Sequence, residues 1–219
     1  MEISTFTDIK LDNIDLVLLD LDNTLYPYDI CHNAALERIT CDIAIKLGLD
    51  QAFILKEYYN SRKLVSIRHA GQAAAHSRLL YIQGLVETLI GKTDPQWILY
   101  LNELYWEIYF SKMELYEDTL IFLQKCQTLK VPIIVVTDLV AEIQLKKILH
   151  LSISNFFSFI VTSEEAAREK PHPSIFELAI QKSKLLLSDI RQIAVVGDNP
   201  EKDLFFSDCY QVTSYLVVR

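Results

Sequence analysis

Short runs of aliphatic residues alternate with longer helical patterns in this chain, and this alternation constrains the fold more than any other feature. Such alternation is typical of a parallel sheet covered by helices. A helix is predicted over 139–149, and Pro173 opens another, because proline is favoured in the first turn of a helix. We predict an α/β fold with a Rossmann-like core of five parallel strands, over residues 15–20, 131–137, 157–161, 192–196 and 212–218.

The segment between the first two strands has a different pattern. About a hundred residues separate Asp20 from Val131, and they carry helical patterns without a clear strand. A single crossover needs far fewer residues. Asp94 and Pro95 mark one helix start, since a capping carboxylate followed by proline is a typical N-terminus. We therefore predict an all-helical domain at 29–112, inserted into a core formed by 1–28 and 113–219.

Composition excludes several function classes. The formal net charge is −8 and there is no long basic run, so a binding surface for a nucleic acid polymer is not expected. The acidic start lacks the apolar stretch of a secretory leader, and no segment has the roughly 18–20 apolar residues that span a bilayer. These features predict a cytoplasmic protein without a membrane partner, either a monomer or a homodimer.

Polar residues follow the predicted strands at the point where each strand ends. In open parallel sheets, ligands bind beyond the carboxyl ends of the strands, so these residues are expected to meet at one edge. The residues are Asp20, Asp22 and Thr24 after the first strand, Thr137 and Asp138 after the second, Lys170 after the third, and Asp198 and Asp203 after the fourth.

The carboxylates in this set predict a metal site. The acidic groups of Asp20, Asp22, Asp198 and Asp203 would repel one another unless a cation lay among them. Hard oxygen ligands without histidine or cysteine favour Mg²⁺, which also binds phosphate oxygens. Lys170 adds a positive charge and Thr137 a hydroxyl donor. These groups together are suited to binding a phosphoryl group and to neutralising the charge that develops during its transfer.

The ordered motifs resemble those of the haloacid dehalogenase superfamily. They are Asp-x-Asp-x-Thr from Asp20, Thr137, Lys170-Pro171, and Gly-Asp-x4-Asp from Gly197, each after a predicted strand. The resemblance covers the whole chain. It implies a HAD-like core, and the helical insert is similar to the mobile cap of the first subclass. After Asp203 the chain departs from the small-residue stretch usual in the family, with Leu204 to Asp208 in its place.

The resemblance also implies a role for each matching residue. Asp20 would be the nucleophile that forms an aspartyl-phosphate, and Asp22 the general acid and base. By the same resemblance, Mg²⁺ would be held by Asp20, the Asp22 backbone carbonyl and Asp198, and Asp203 would steady these ligands. The substrate contacts would be Thr24, Thr137, Asp138 and Lys170. Of these, Thr137 and Lys170 would also assist catalysis.

The substrate and the alternatives depend on less specific features. Positive residues in the insert are either substrate contacts or an ordinary solvated helix face, and Arg68, His76 and Arg78 are the candidates for contact. The segment Leu21–Pro27 resembles that of pyrimidine-nucleotidase-like members, which implies a small phosphorylated metabolite such as a nucleoside monophosphate. The alternatives are a 2-haloacid dehalogenase-type hydrolase, against which Asp22 argues, and a catalytically idle binding protein of the same fold.

Overall fold

The structure is a computed structural model that describes residues 2–205, 207 and 209–219, with side chains from residue 5 onward. Its sheet has six strands, all paired in parallel, in the order β1-β6-β5-β2-β3-β4. The strands are Glu2–Ser4 (β1), Leu16–Leu19 (β2), Ile133–Thr137 (β3), Phe159–Thr162 (β4), Gln192–Gly197 (β5) and Gln211–Val217 (β6).

The predicted α/β fold with five parallel strands is confirmed, and the sheet has one additional strand. This addition, β1, pairs only with β6 and has three residues, which is too short to produce a recognisable pattern. Two predicted strands begin two residues later than expected. Pro132 has no N–H to donate to the ladder, so β3 begins at Ile133. A short 3-10 helix at Ser154–Phe156 delays the start of β4.

The middle of the sheet is built from continuous aliphatic runs. Every residue of β2 and β3 is buried. In the register, Leu18 lies beside Ile134 on one side and Val195 on the other. Strands buried on both faces require apolar residues at every position, not at alternate ones. Because β5, β2, β3 and β4 are paired in parallel, all four strands have their carboxyl ends at one edge of the sheet.

The chain divides into two compact units. One comprises Met1–Pro27 with Glu114–Arg219 and contains the sheet; the other comprises Tyr28–Met113 and is helical. We call them the sheet unit and the helical unit. In the described ranges the α-helices are Tyr28–Leu47 (α1), Gln51–Arg68 (α2), Arg78–Ile90 (α3), Pro95–Ser111 (α4), Thr119–Thr128 (α5), Ala141–His150 (α6) and Pro173–Ser183 (α7). Among these described helices, none is long and apolar enough to cross a membrane.

The helix starts illustrate which local signals are reliable. The Asp94 carboxylate accepts a hydrogen bond from the Trp97 N–H at 3.1 Å and Pro95 is the first residue of α4, as predicted. Pro173 likewise opens α7. In contrast, α6 begins two residues later than predicted, because Leu139 has a φ of 92° and cannot be helical. In the stretch that follows Asp203, Phe206 and Asp208 lie outside the described residues, and residues 204, 205 and 207 are not helical.

Candidate active site

The sheet unit brings together acidic side chains from two strand ends around one buried lysine. The Lys170 Nζ atom lies 2.6 Å from Asp20 Oδ1 and 2.6 Å from Asp203 Oδ1. All three side chains are buried. Asp20 follows β2, Asp203 follows β5, and Lys170 precedes α7, so the contact joins three connections at the carboxyl edge of the sheet. A buried ion pair with this geometry fixes the Asp20 carboxylate firmly in place.

Thr24 and Asp198 complete this cluster. The Thr24 hydroxyl, which is fully buried, donates to Asp20 Oδ2 at 2.9 Å and lies 3.3 Å from Asp198 Oδ1. One carboxylate oxygen from each of Asp20, Asp198 and Asp203 lies within 4.8 Å of the other two. Three carboxylates so close together with one lysine suit a divalent cation, because hard oxygen ligands are what Mg²⁺ and similar ions prefer.

The electrostatics of this cluster agree with a cation-binding role. Burial raises the pKa of Asp20, and Asp203 and Asp198 raise it further, against the opposing effect of Lys170. Burial and Asp203 also raise the pKa of Asp198. Burial alone would lower the pKa of Lys170, but Asp20, Asp203 and Asp138 raise it, so the ammonium stays charged. A single lysine does not balance the acidic groups, and positive charge is still needed there.

Asp22 lies outside this group of three carboxylates and has its own set of donors. Lys147 Nζ lies 2.6 Å from Asp22 Oδ1, which also accepts from the Tyr26 hydroxyl, and Gln144 Nε2 donates to Oδ2 at 3.1 Å. Burial raises the pKa of Asp22, but Lys147, Tyr26 and Gln144 together outweigh it, so the net effect is a lowered pKa. The ionised form of Asp22 is therefore the one stabilised in this arrangement.

The connection after β3 is braced by groups from three other segments of the chain. Gln144 Nε2 lies 2.5 Å from Thr137 Oγ1 and 2.7 Å from the Asp138 carbonyl oxygen. The Asp138 carboxylate accepts from the Lys170 backbone N–H at 2.9 Å and from Lys202 Nζ at 2.7 Å. The Asp138 carboxylate therefore anchors the loop that carries Lys170.

The same connection contains strained backbone. Leu139 adopts the left-handed region, which is uncommon for a bulky residue and costs on the order of 1–3 kcal/mol. Its N–H donates to Ser163 Oγ at 2.9 Å, and that hydroxyl lies 3.4 Å from the Leu139 carbonyl. Ser163 follows β4, so the neighbouring strand stabilises the conformation that positions Thr137 and Asp138.

Gly197, the last residue of β5, permits the close approach of Asp203. A Cβ atom at position 197 would overlap the Asp203 carboxylate. Asp203 Oδ2 accepts from the Asn199 backbone N–H at 3.0 Å, while Oδ1 contacts Lys170. Both oxygens of Asp203 therefore already have donors, which suits a residue that steadies the cluster.

The helical unit contains the other three residues that the sequence singled out. Arg78 is buried, and its Nη1 atom donates to the His76 carbonyl at 2.6 Å. His76 is half-buried at the end of the 3-10 helix Ala73–His76. Arg68 ends α2 and is exposed, where it lines a cleft of about 440 Å³ between α2 and α3. Arg78 is the most buried of the three.

Sequence reasoning missed Lys147, Gln144, Tyr26 and Lys202. One signal was present for two of them. Gln144 and Lys147 are three residues apart on the predicted helix and fall on its buried face, where apolar residues are expected. Tyr26 and Lys202 stand inside the quoted motif segments, but neither had a distinguishing pattern.

Comparison with known proteins decides the family. Residues 14–206, which are most of the chain, match the protein family described as "haloacid dehalogenase-like hydrolase". The chain belongs to this family. The match includes Asp20 and Asp22 at its start and Asp198 and Asp203 near its end, so it covers every strand-end motif of the candidate site.

Individual relatives of this haloacid dehalogenase-like hydrolase are phosphatases. A ribulose-1,5-bisphosphate 5-phosphatase of Halopiger xanaduensis is 36% identical over 194 residues, which cover 86% of this chain and 78% of the relative. A glyceraldehyde 3-phosphate phosphatase of Methanopyrus kandleri is 27% identical over 191 residues, covering 87% and 78%. The predicted enzyme class, a phosphatase of this superfamily, is in agreement with these relatives.

The fold also matches solved structures. A HAD phosphatase from Thermococcus onnurineus superimposes with a TM-score of 0.66 at 19% identity, covering 87% of this chain and 80% of that one. At this level of identity the likeness supports the fold alone.

Proposed function

We propose that this protein is a Mg²⁺-dependent phosphomonoesterase that acts through an aspartyl-phosphate on Asp20. The observation that carries the proposal is the position of the Asp20 carboxylate, buried between Lys170 and Thr24 and close to Asp198 and Asp203. A carboxylate held at both oxygens is oriented for attack, and burial excludes competing water. The relatives named as phosphatases support the same chemistry.

The cation would be held by Asp20, Asp198 and the Asp22 backbone carbonyl, and when bound it supplies charge that neutralises the phosphoryl oxygens. Asp20 attacks phosphorus, and the bond from phosphorus to the leaving oxygen breaks. Asp22 gives a proton to that oxygen and later takes one from the water that hydrolyses the aspartyl-phosphate. Lys147 favours the ionised form of Asp22, which is the form that accepts a proton in the second half of the reaction. Thr137 and Lys170 hold phosphoryl oxygens, with Thr24 and the Asp138 backbone as further contacts.

The helical unit is proposed to act as a cap of the family's first subclass, with 29–112 as the cap and 1–28 with 113–219 as the core. The helical unit is one contiguous segment inserted after the first motif, which supports this role. Arg68, His76 and Arg78 remain its proposed substrate contacts.

The substrate is proposed to be a small phosphorylated sugar. The support comes from the relatives, since those compared act, by name, on ribulose-1,5-bisphosphate and glyceraldehyde 3-phosphate. A nucleoside monophosphate is the second candidate, on the resemblance of Leu21–Pro27 to nucleotidase-like members. A panel of about a hundred phosphorylated metabolites separates the two: a tenfold preference for sugar phosphates over every nucleotide rejects the second candidate, and the reverse rejects the first.

The core of the proposal is tested with an aryl phosphate. Phosphate release should require Mg²⁺ and stop when EDTA is added, because the acidic cluster needs a cation. Undiminished activity in metal-free buffer would rule out the proposed Mg²⁺ site. The dehalogenase alternative predicts halide release from 2-haloacids, and the idle binding protein predicts no turnover of either substrate class with any divalent ion.

A further inference from the structure

The interior of the helical unit contains a buried arginine without an acidic partner. Arg78 is 8% exposed. Its guanidinium donates to the His76 carbonyl and to the Tyr28 hydroxyl. Within the described residues, no carboxylate forms an ion pair with it. Buried charges in proteins are almost always paired, because an unpaired one is costly to remove from water.

Two tyrosines and a histidine near Arg78 carry no negative charge. Burial raises the pKa of Tyr58 and of Tyr105, which keeps both hydroxyls neutral. Burial, together with Arg78 and Arg62, lowers the pKa of His32 to about 3, so the imidazole is neutral as well. Arg78 is also the first residue of α3, and the N-terminus of a helix carries partial positive charge. The local charge is therefore positive and uncompensated.

Three polar atoms around this charge have no hydrogen-bond partner within the described residues: Arg78 Nε, His32 Nε2 and Tyr58 Oη. His32 and Tyr58 are 5% and 0% exposed. Their ring centroids are 6.4 Å apart, and Arg78 is near enough to shift the pKa of both.

All three atoms can donate a hydrogen bond. The Tyr105 hydroxyl lies 2.7 Å from His32 Nδ1. The positive charge of Arg78 lowers the pKa of Tyr105 against the larger effect of burial, so the lone pairs of this hydroxyl face Arg78 and its proton faces Nδ1. The neutral imidazole then carries its proton on Nε2. Arg78 Nε–H, His32 Nε2–H and Tyr58 O–H are thus three donors that lack an acceptor. Donors around an unpaired guanidinium are what a carboxylate or phosphate requires.

We propose that Arg78, His32 and Tyr58 form a binding site for an oxyanion, a phosphate or carboxylate group, inside the helical unit. The bound group supplies the missing negative charge and accepts from the three donors. Such a group comes either from a second anionic substituent of the substrate or from a free oxyanion in solution. The proposal does not depend on catalysis in the sheet unit, so it can be tested on protein that turns nothing over.

The first test uses inorganic sulfate, an oxyanion that no phosphatase hydrolyses. Thermal unfolding is followed in EDTA at increasing sodium sulfate, against sodium chloride at equal ionic strength. The proteins are wild type, Arg78→Met, Tyr58→Phe and the control Arg38→Met, which removes an exposed arginine of the same unit that has no proposed binding role. The sheet unit is unchanged in all four, so any sulfate that it binds contributes equally.

We expect a saturable, sulfate-specific rise in Tm for wild type and Arg38→Met. The half-saturating sulfate concentration should rise about tenfold or more in Arg78→Met and severalfold in Tyr58→Phe, since charged hydrogen bonds are stronger than neutral ones. The same sulfate dependence in all four proteins overturns the proposal. Tyr58→Phe removes one oxygen and keeps the ring, so it remains informative if Arg78→Met does not fold.

A second test separates the two sources, and it rests on the proposed function. The kcat/KM is measured for a sugar bisphosphate and for the corresponding monophosphate. A loss in Arg78→Met of about tenfold for the bisphosphate alone assigns the site to the substrate's second anionic group. If Arg78→Met changes kcat/KM by the same factor for both substrates while its sulfate binding is weakened, the site is assigned to a free oxyanion. Absence of turnover with every phosphate ester would reject the proposed function and leave the sulfate result standing.

Discussion

Lys147 and Asp22 form an ion pair in the sheet unit, with 2.6 Å between Nζ and Oδ1, although 125 positions separate them in the chain. Lys147 is 1% exposed and Asp22 29%. The lysine comes from the buried face of α6 and the aspartate from the connection after β2. A helix outside the recognised motifs therefore supplies a charge to the residue that the motifs assign to proton transfer.

Replacing Lys147 should destabilise the fold through Asp22. Lys147→Met leaves the carboxylate without its cation, and breaking a buried pair costs about 3–5 kcal/mol; since Asp22 is partly exposed, we expect about 1–3 kcal/mol. Lys146→Met, at the neighbouring exposed position, should change the free energy of unfolding by less than about 1 kcal/mol. Urea unfolding of Asp22→Asn/Lys147→Met should recover much of the loss. Strict additivity in this double-mutant cycle would mean that the pair contributes no coupling.

Asp20→Asn should fold and should lose turnover by many orders of magnitude. The amide keeps the shape of the carboxylate but is not a nucleophile. Steady-state phosphate release from an aryl phosphate and circular dichroism of the same preparation measure the two effects separately. A variant that retained a tenth of the wild-type rate would place the nucleophile on another residue.

Asp22→Asn should lower kcat by about 10²–10⁴-fold, the usual contribution of general acid–base catalysis. The loss should be larger for an alkyl phosphate than for an aryl phosphate, because an alkoxide leaving group needs the proton more. Rates for a matched series of leaving groups give this comparison directly. Undiminished turnover of the alkyl ester would remove Asp22 from the reaction.

Gly197→Ala should disrupt the acidic cluster by displacing Asp203. The added methyl group overlaps the Asp203 carboxylate, so either this side chain or β5 must shift. We expect a loss of stability of about 1–3 kcal/mol from overpacking and at least a tenfold lower kcat/KM, with a higher Mg²⁺ concentration for half-maximal activity. Ala194→Gly, in the same strand but away from its end, should affect stability without changing the Mg²⁺ requirement. An unaltered Mg²⁺ requirement in Gly197→Ala would separate Asp203 from the cation.

His32 should make stability depend on pH in the acidic range. Burial and the charges of Arg78 and Arg62 lower its pKa from 6.5 to about 3, so the unfolded chain binds the proton more readily. The buried neutral His32 therefore does not reduce the free energy of unfolding above pH 6.5. Below that pH the free energy of unfolding falls as pH decreases towards 3, with a slope of at most about 1.4 kcal/mol per pH unit. Urea unfolding of His32→Gln between pH 4 and 7 should show a flatter dependence than wild type. His150→Gln, at an exposed position, should keep the wild-type slope; an equal flattening in both would dissociate the effect from His32.

The sequence predicted those parts of the site that depend on strand ends. Parallel strands share one carboxyl edge, so residues after β2 and β5 had to be neighbours, and Asp20 and Asp203 are. It did not predict contacts that depend on how a helix is rotated about its axis. Lys147 is an example, because a lysine on a helix is ordinarily solvated, and only the packed structure shows that this one is buried.

The same limit applies to the helical unit. Arg78 was one of several positive residues in a short span, and the sequence offered both a solvated face and a substrate contact as interpretations. Its guanidinium lies over the ring of Tyr28, the first residue of α1, which is 50 positions away in the chain. The start of α6 was predicted two residues early for a related reason, because the left-handed conformation of Leu139 depends on Ser163 of a neighbouring connection.

The strand order has a consequence for how the protein is made. The central strand β2 pairs with β3 and β5, which follow it by more than a hundred residues in the chain. On the ribosome, its four aliphatic residues emerge long before either partner exists, whereas the contiguous helical insert can begin to fold at once. The nascent chain must therefore keep an unpaired, aggregation-prone segment in solution until synthesis is nearly finished. We expect the yield of active protein to depend on chaperones and growth temperature more than the stability of the finished fold would suggest.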